Sequence, residues 1–441
     1  MVAPIIIKKR INSFNKTITV NGDKSLSIRW ALLASQAKGK SRAYNLLRSL
    51  DVLSTLKCLK KLGVKVILKK KYCEITGCGL NSFENKKKIT LDAGNSGTLG
   101  RLILGLLTHH KNKIKLIGDK SLSKRDFSRV IFPLKKFGAR FTYKSNYNLP
   151  IEIHGTEQAN PINFIETKGS AQCKSSVMLA ALNTEGETII KARKSRNHTE
   201  ILFKNLKVPI TVKKLKKFDL IKIKGKKEFN GFNYNIPSDV SSSAFFIVLT
   251  LLSKKSKLII KHVNINPSRI GIITILKKMG AKILFKNKRI YKGENIADIF
   301  VKSNKKIKSI NCPSYLNSQA IDEFLLIFLV AAKAKGVSYF KDLSELDKKE
   351  SPRLKLGSKI LNLMGIKTIL TKSSIKIYGN PNLEINHNIE IKDYLKDHRI
   401  FMMSMIAALS IGGIWKLHDP DSIKTSFPSF LNLIKKIKKR H

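Results

Sequence analysis

The sequence predicts an α/β protein made of six similar units in two lobes. At 441 residues the chain is too long for one ordinary hydrophobic core, so two or three compact regions are expected. Its 42% hydrophobic and 26% charged residues are typical of a folded globular protein. The most informative observation is a phrase that returns along the chain at intervals of roughly 70 to 85 residues, a spacing suited to a small α/β unit.

The repeated phrase reads Leu-Lys-Lys, an apolar residue, Gly, an apolar residue, Lys and a further apolar residue. It is typical of the last turn of an amphipathic helix, a glycine in the left-handed conformation and a short strand. Three clear copies, two looser ones and a final C-terminal helix lie at 59–66, 134–141, 276–283, 361–368, 202–210 and 431–439. Ordinary α/β alternation with a chance likeness of helix ends is the alternative interpretation.

A second helix accompanies each copy and is apolar on nearly all sides, which predicts that it is buried. These helices are too short and interrupted to span a bilayer. Their expected ranges are 26–36, 98–108, 175–182, 241–252, 322–334 and 398–410. The six pairs of helices, each with several strands, predict two lobes of three units.

The formal net charge of +55 makes nucleic acid or an anionic surface a candidate partner. However, the lysines are spread along the whole chain, aromatic residues are only 7%, and no RNA- or DNA-reading signature occurs. This pattern favours a generic solvated basic surface over a dedicated nucleic-acid site.

Cysteine usage and the N-terminus predict a reduced, cytoplasmic protein. The five cysteines are odd in number and lack metal-ligand spacing, so we interpret them as free thiols. The first ten residues contain too few apolar side chains for a signal peptide or a membrane span.

Gly, Ser, Asp, Lys and Arg are frequent just before the six apolar helices. A helix N-terminus offers unpaired N–H groups and a partial positive charge, so such segments can bind anions. The same residue types are also common N-caps without any function, and both interpretations stay open for each segment. The segments are 22–25, 94–98, 168–172, 237–241, 321–323 and 397–399. If the helices point the same way, they predict one anion-binding cleft.

Eight motifs, in this order, resemble the enolpyruvylshikimate-phosphate synthase family over essentially the whole chain. They are Gly22-Asp23-Lys24-Ser25-Leu26-Ser27-Ile28-Arg29, Gly94-Asn95-Ser96-Gly97-Thr98, Gly118-Asp119-Lys120-Ser121-Leu122-Ser123-Lys124-Arg125, Ser195-Arg196-Asn197-His198-Thr199-Glu200, Asp322-Glu323, Lys349-Glu350-Ser351-Pro352-Arg353, Asp397-His398-Arg399 and Ser422-Ile423-Lys424-Thr425-Ser426-Phe427-Pro428. The resemblance implies transfer of the enolpyruvyl group of phosphoenolpyruvate to the 5-hydroxyl of shikimate 3-phosphate, with release of phosphate, in aromatic amino acid biosynthesis. It implies no metal and no organic cofactor.

The resemblance also implies a two-lobed inside-out α/β barrel of six βαβαββ repeats. Three repeats would lie in an N-terminal lobe at 21–235, and three in a C-terminal lobe formed by 1–20 and 236–441. The two lobes would close a cleft around the substrates. We expect a monomer, with no membrane and no specific nucleic acid as partner.

Roles follow from the resemblance residue by residue. Asp322 would take the hydroxyl proton, Glu350 would deliver and later remove the C3 proton, and Lys24 would lie between the substrates. Shikimate 3-phosphate would be held by Lys24, Ser25, Arg29, Ser170, Ala171, Gln172, Arg196, Asp322 and Lys349. Phosphoenolpyruvate would be held by Lys24, Gly97, Arg125, Gln172, Arg353, Arg399 and Lys424. The alternative is that both carboxylates simply pair with neighbouring Lys and Arg side chains.

Several positions depart from the family pattern. Pro352 stands where the family usually has Asp, and Asp347 and Lys348 replace the more usual Arg and Val. Asp126 replaces Pro, and Leu99-Gly100 is atypical.

Gly97 leaves room beside phosphoenolpyruvate, which predicts sensitivity to glyphosate.

Two rival functions remain open at this point. The sister enzyme that uses UDP-N-acetylglucosamine normally carries a reactive Cys in a loop that corresponds to 120–129, and this loop has none. The other rival is a basic RNA- or DNA-binding protein.

Overall fold

The computed structural model describes residues 2–86, 88–304 and 306–439. The strands are β1 (Ile5–Ile7), β2 (Asn15–Ile18), β3 (Lys38–Tyr44), β4 (Lys65–Leu68), β5 (Tyr72–Cys78), β6 (Ile89–Asp92), β7 (Ile114–Ile117), β8 (Arg140–Tyr143), β9 (Ile151–His154), β10 (Asn163–Glu166), β11 (Glu187–Arg193), β12 (Ile210–Lys214), β13 (Phe218–Lys224), β14 (Asn233–Asn235), β15 (Lys257–Asn264), β16 (Ile283–Tyr291), β17 (Glu294–Lys302), β18 (Gly336–Phe340), β19 (Thr368–Leu370), β20 (Ile375–Gly379), β21 (Ile385–Ile391) and β22 (Gly412–Leu417).

Helices alternate with these strands, which confirms the predicted α/β class. They are α1 (Lys24–Gln36), α2 (Leu50–Lys61), α3 (Gly97–Leu107), α4 (Ser128–Lys136), α5 (Ala171–Asn183), α6 (His198–Asn205), α7 (Val240–Leu252), α8 (Gly271–Lys278), α9 (Asn317–Ala320), α10 (Phe324–Ala332), α11 (Arg353–Leu363), α12 (His398–Ile411) and α13 (Phe430–Lys438). Short 3-10 helices lie at Leu122–Lys124, Ser314–Leu316, Ser344–Leu346 and Pro420–Thr425.

The chain folds into two compact units. The N-terminal unit contains Gly22–Ile236 and Lys292–Glu294. The C-terminal unit contains Met1–Asn21, Pro237–Tyr291 and Asn295–His441. The chain therefore passes from one unit to the other at four points rather than one.

The N-terminal unit contains three four-stranded sheets with the same topology. Their strand orders are β14-β3-β5-β4, β6-β7-β9-β8 and β10-β11-β13-β12. In each sheet the first two strands are parallel and the remaining pairs are antiparallel. Each sheet takes one apolar helix and one amphipathic helix, as the pairs α1/α2, α3/α4 and α5/α6.

The C-terminal unit repeats this plan with more variation. Its sheets have the orders β16-β17-β15-β2, β18-β20-β19 and β1-β22-β21. The parallel partner of β18 is reduced to isolated bridges between Lys308 and Lys335 and between Asn311 and Tyr339. There the amide of Ile310 donates to the hydroxyl of Ser338 at 3.3 Å, instead of continuing a backbone ladder.

The glycines of the repeated phrase adopt the expected left-handed conformation. Gly63, Gly138, Gly280 and Gly365 have φ values of 86°, 110°, 92° and 80°. In the copy without glycine, Lys207 takes the same conformation with φ of 57°. A side chain with a Cβ pays a steric penalty at such a position, which explains why glycine recurs there.

The apolar helices are buried, as predicted. Every residue of α10 and α12 is buried, and so is α7 from Val240 to Leu251. Three starts differ from expectation by two residues or more, because α1 begins at Lys24 rather than 26, α5 at Ala171 rather than 175, and α10 at Phe324 rather than 322. Residues 314–323 before α10 instead form two short helices and a turn.

Length and apolar composition were the two properties compared with those of a membrane-spanning helix, and only the helices within the described residues are concerned. None of them alone is sufficiently long and apolar, while the sharply bent pair Ser314–Ala320 and Phe324–Ala332 meets the length and composition criteria together.

Candidate active site

Side-chain caps begin five of the six apolar helices within the described residues. Asp23, Ser96, Ser170, Asp239 and Asp397 each accept a hydrogen bond from a backbone N–H in the first turn. Glu323, before α10, makes no such capping bond. Five of the six segments therefore contain an N-cap, and an N-cap leaves other first-turn N–H groups that can bind an anion.

Helix α1 places Lys24 and Arg29 in different surroundings. Lys24 Nζ lies 2.8 Å from the Asp51 carboxylate, and both side chains are largely buried. The guanidinium of Arg29 donates to the hydroxyls of Thr199 and Ser175, both at 2.9 Å. It also donates to the carbonyl of Ser25 one turn earlier, at 3.2 Å. Arg29 thus connects α1 to α5 and α6.

Gly97, Arg125 and Gln172 lie close together in the N-terminal unit. Gln172 Nε2 donates to the Thr98 hydroxyl at 2.9 Å, and its oxygen accepts from Arg101 at 3.0 Å. Arg125 donates to Asn95 Oδ1 at 2.9 Å. A Cβ at Gly97 would lie 2.8 Å from Arg101 Nη1 and 3.0 Å from Arg125 Nη1. A side chain at position 97 would therefore displace both guanidinium groups, and glycine allows their close approach.

A carboxylate at the end of β10 binds the backbone segment directly before α5. Glu166 accepts from the backbone N–H groups of Lys168 and Gly169, at 3.0 and 2.7 Å. Gly169 has φ of 71°, and the Ser170 hydroxyl then caps the helix through the N–H of Cys173. Ala171 is the first residue of α5.

Arg196 lies two residues before α6, and a buried ion pair joins α6 to α5. Lys174 Nζ and Glu200 Oε1 are 2.6 Å apart, with the two side chains 0% and 4% exposed. The pair fixes the segment with Arg196 against the helix that begins beside Ser170. We call the predicted site residues of this unit the N-terminal set: Lys24, Ser25, Arg29, Gly97, Arg125, Ser170, Ala171, Gln172 and Arg196.

In the C-terminal unit, one buried carboxylate organises several predicted site residues. Asp397 accepts from Arg353 Nε and from the Ser351 hydroxyl, both at 2.8 Å. Its other oxygen accepts from the backbone N–H of Arg399 at 2.9 Å, which caps α12. Arg353 also donates to Glu350. Asp397 therefore holds the loop before α11 against the start of α12.

Asp322 lies beside the same group of cations. Its carboxylate is 3.3 Å from Lys349 Nζ and 3.7 Å from Arg353 Nη1. Its backbone carbonyl accepts from Arg399 Nη1 at 2.7 Å, and Arg399 is also 3.8 Å from the Glu323 carboxylate. Asp322, Lys349, Glu350, Arg353 and Arg399 thus come together around one polar cluster.

Lys424 is exposed on the 3-10 helix Pro420–Thr425. The next residue, Thr425, makes a hydrogen bond of 3.2 Å with His398 at the start of α12. Its segment therefore contacts the helix that carries Arg399. We call Asp322, Lys349, Glu350, Arg353, Arg399 and Lys424 the C-terminal set.

Burial and neighbouring charges have opposite effects on the pKa values of Arg353 and Asp397. Burial alone would lower the pKa of Arg353, but the charges of Asp397, Glu350 and Asp322 outweigh it and raise the pKa above its ordinary value. Burial likewise acts to raise the pKa of Asp397, whereas the charge of Arg353 brings the net pKa below its ordinary value. Both groups are therefore charged at neutral pH.

Three residues contact predicted site residues but were not themselves predicted from the sequence: Asp397, Asp51 and Arg101. Asp397 stands inside the motif that supplied Arg399, and Arg101 directly follows the atypical pair Leu99-Gly100. Asp51 lies in the first turn of α2 and gives no local signal of its contact with Lys24. In the described residues, no group of three or more His, Cys, Asp or Glu side chains is arranged to hold a metal ion.

The arrangement favours binding of anions and transfer of protons. Guanidinium groups donate paired hydrogen bonds that match carboxylates and phosphates. Carboxylates beside cations can exchange protons when their surroundings set their protonation states apart. The N-terminal set is rich in the first kind of group, and the C-terminal set combines both.

Comparison with protein-family models gives a match that spans nearly the whole chain. Residues 8–434 match the family described as EPSP synthase (3-phosphoshikimate 1-carboxyvinyltransferase). A protein named 3-phosphoshikimate 1-carboxyvinyltransferase from Ruthia magnifica subsp. Calyptogena magnifica is 41% identical, over 98% of this chain and 97% of its own length. One with the same name from Streptococcus mutans serotype c is 35% identical, over 98% of this chain and 99% of its own length.

Solved structures show the same similarity in three dimensions. EPSP synthase from Acinetobacter baumannii is 34% identical and superposes with a TM-score of 0.86, over 99% of this chain and 98% of that one. The enolpyruvyl transferase NikO from Streptomyces tendae has a TM-score of 0.77 over 99% of this chain and 97% of that one. At 13% identity, NikO supports the fold alone.

Proposed function

The chain belongs to the EPSP synthase family, and we propose that it uses the N-terminal and C-terminal sets to transfer the enolpyruvyl group of phosphoenolpyruvate to shikimate 3-phosphate. The predicted family membership and fold class are confirmed by the family match and by the solved structures. The reaction belongs to the shikimate pathway of aromatic amino acid biosynthesis. The observation that carries the assignment of residues is the gathering of Asp322, Glu350, Arg353 and Arg399 around Asp397.

The N-terminal set binds the anionic groups of the substrates in this proposal. Ser25, Arg29, Ser170, Ala171, Gln172 and Arg196, with Lys349 and Asp322 of the C-terminal set, hold shikimate 3-phosphate. Arg29 already donates to two hydroxyls, so its plane is fixed before a substrate arrives. A preformed donor loses less conformational freedom when it binds an anion.

Phosphoenolpyruvate contacts Lys24, Gly97, Arg125 and Gln172, together with Arg353, Arg399 and Lys424. The tight approach of Arg101 and Arg125 at Gly97 supports this, since it concentrates positive charge near the first turn of α3. Such concentrated charge stabilises the negative charge that develops on the transferred group.

The chemical steps need one base and one group that both donates and accepts a proton. The 5-hydroxyl oxygen bonds to C2 of phosphoenolpyruvate, its proton passes to Asp322, and a proton passes from Glu350 to C3. The C2–O bond to phosphate then breaks, phosphate leaves with the proton that Asp322 had taken up, and one C3 proton returns to Glu350. No metal or organic cofactor is required in this sequence.

Contacts of the two carboxylates support these roles. Lys349 and Arg353 lie beside Asp322, and adjacent cations favour the charged form that a base requires. Glu350 shares Arg353 with Asp397, so the guanidinium charge is divided between two carboxylates. The structure also contains the ion pairs of the alternative interpretation, in which these groups only neutralise one another, so activity must decide between them.

The remaining predictions concern the whole molecule. The lobe division at 21–235 against 1–20 and 236–441, the monomeric state and the cytoplasmic location stay predictions, as does the lack of a membrane or specific nucleic acid as partner. Sedimentation of the purified protein tests the monomer, with a dimer as the contradicting result.

The test of the proposed function is a phosphate-release assay with phosphoenolpyruvate and either shikimate 3-phosphate or UDP-N-acetylglucosamine. We expect turnover only with shikimate 3-phosphate. Lys24→Met and Glu350→Gln should each lower kcat/KM by about 100-fold or more, because each removes a charged group from the reacting centre.

Matched controls are Lys57→Met on α2 and Glu345→Gln in the 3-10 helix before the Glu350 loop. Both should retain the wild-type rate. Turnover with UDP-N-acetylglucosamine would favour the sister activity, and wild-type rates in Lys24→Met and Glu350→Gln would contradict the residue assignment.

A further inference from the structure

The loop from residue 347 to residue 353 carries Lys349, Glu350 and Arg353, yet it ends on a helix whose N-cap residue cannot cap it. Helix α11 begins at Arg353, and the residue before it is Pro352, with φ of −72° and ψ of 77°. Proline has no side-chain atom that accepts a hydrogen bond, and no side chain at this position caps the helix. Such an uncapped start leaves first-turn N–H groups without an N-cap acceptor.

Asp347 supplies the missing acceptor from farther back in the chain. Its Oδ1 atom accepts from the backbone N–H of Leu354, the second residue of α11, at 2.7 Å. The N–H of the second or third helical residue is the one that an ordinary N-cap side chain receives. A carboxylate at this end of a helix also interacts favourably with the helix dipole.

The segment directly before Asp347 is anchored in the interior by buried leucines. Asp347 directly follows the 3-10 helix Ser344–Leu346, in which Leu346 is buried and its N–H donates to Leu343. Leu343 is also buried and donates to the carbonyl of Ser373 at 2.8 Å. The bond from Leu354 to Asp347 therefore ties the start of α11 to a fixed point and closes the loop at both ends.

We infer that Asp347 is a positioning residue for the reaction. This inference rests on the proposed function, because its effect on activity acts through Lys349, Glu350 and Arg353. The three side chains lie inside the closed loop or at its end, and Arg353 must reach Asp397 and Glu350 at hydrogen-bond distance. Asp347 fixes the backbone from which they extend and does not itself contact a substrate.

The first experiment compares Asp347→Ala with Asp347→Asn. The alanine variant should lower kcat/KM by about 2- to 30-fold, the range that corresponds to loss of one helix cap. The asparagine variant should stay within about twofold of wild type, because its side-chain oxygen can still accept from Leu354. Glu345→Ala is the matched control, since it removes another carboxylate from the same turn, one that forms an ion pair with exposed Lys348.

A rescue experiment separates capping from other effects. Pro352→Asp, added to Asp347→Ala, places an acceptor directly before α11 and should restore at least half of the lost kcat/KM. Amide hydrogen exchange gives a readout independent of activity. Exchange in residues 347–356 should be faster in Asp347→Ala and should return toward wild type in the double variant and in Asp347→Asn.

Different results would contradict different parts of the inference. Unchanged exchange in Asp347→Ala would show that the bond does not hold the helix, and faster exchange with wild-type kcat/KM would show that the bond has no role in positioning. Equal losses in the alanine and asparagine variants, without rescue, would assign the effect to charge. If the wild-type protein did not turn over phosphoenolpyruvate and shikimate 3-phosphate, the proposed function would fail, while the exchange data would still test the cap.

Discussion

The two sets of candidate site residues differ in the groups that hold their arginines. In the N-terminal set, Arg29 donates to hydroxyl and carbonyl oxygens, and Arg125 donates to an amide oxygen. In the C-terminal set, Arg353 donates to the carboxylates of Asp397 and Glu350. The C-terminal set also contains two carboxylates of its own, whereas the N-terminal set contains none. Under the proposed function, this difference predicts that the N-terminal set mainly binds anions and that the C-terminal set transfers protons.

The largest expected effect is on turnover in the C-terminal unit. Asp322→Asn should lower kcat by about 100- to 10,000-fold, since an amide cannot accept the hydroxyl proton as a base does. KM for phosphoenolpyruvate should change by less than about threefold, and KM for shikimate 3-phosphate, which Asp322 also helps to hold, should change less than kcat. Steady-state kinetics with Asp342→Asn, an exposed position in the same unit, as control would measure this. A large rise in KM with unchanged kcat would assign Asp322 to binding alone.

A second large effect concerns stability of the C-terminal unit. Asp397→Asn removes the charge that balances buried Arg353, so the free energy of unfolding should fall by about 3 to 5 kcal/mol. Urea denaturation, with exposed Asp393→Asn as control, measures the change. A loss below about 1 kcal/mol would show that Glu350 and Asp322 are sufficient to balance Arg353.

Acid should weaken the N-terminal unit through a buried histidine. Burial lowers the pKa of His109 from 6.5 to about 4, and the side chain lies 3.2 Å from the carbonyl of Ala180 and 3.0 Å from the hydroxyl of Thr184. Below pH 6.5 the unfolded chain binds a proton that the folded chain does not. The free energy of unfolding should therefore fall between pH 6.5 and about 4, by an amount on the order of 3 kcal/mol.

His109→Gln should remove this part of the pH dependence. Urea denaturation of both proteins at pH 7 and pH 4.5 gives the comparison. Equal pH dependence in the two proteins would contradict a depressed pKa at His109. The pKa of Asp397 is also below its ordinary value, so acid should remove its contribution only at lower pH, when the carboxylate takes up a proton.

The smallest of these effects is on binding in the N-terminal unit. Arg125→Ala should raise KM for phosphoenolpyruvate by about 10- to 100-fold, which corresponds to loss of a hydrogen bond to a charged group. The effect on kcat should be small. Lys124→Ala, an exposed neighbouring cation, is the control. A fall in kcat with unchanged KM would remove the distinction between the two sets.

Local signals in the sequence predicted much of the fold. The recurrent glycines marked helix ends, because only a residue free of a Cβ takes φ near 90° without strain. The start of α5 was placed four residues late, because Lys174 in its first turn is polar in sequence. In the structure Lys174 is buried against Glu200, which lies 26 residues farther along and which a local pattern cannot reveal.

The candidate site was predicted through family motifs, and its internal contacts were not. Arg353 and Asp397 are 44 residues apart, and each lies in a motif whose spacing carries no information about the other. The same holds for Lys24 and Asp51. Asp347 was noted only as a departure from the family pattern, whereas the structure shows its carboxylate on the N–H of Leu354.

The short segment Lys292–Glu294 belongs to the N-terminal unit although the strands on both sides of it belong mainly to the other. Within it, Glu294 lies 2.6 Å from His198 at the start of α6, and both side chains are fully buried. A fragment of residues 22–236 would therefore lack Glu294, and the buried imidazole of His198 would lose this carboxylate. A fragment designed for separate expression should replace His198 with an apolar residue of similar volume.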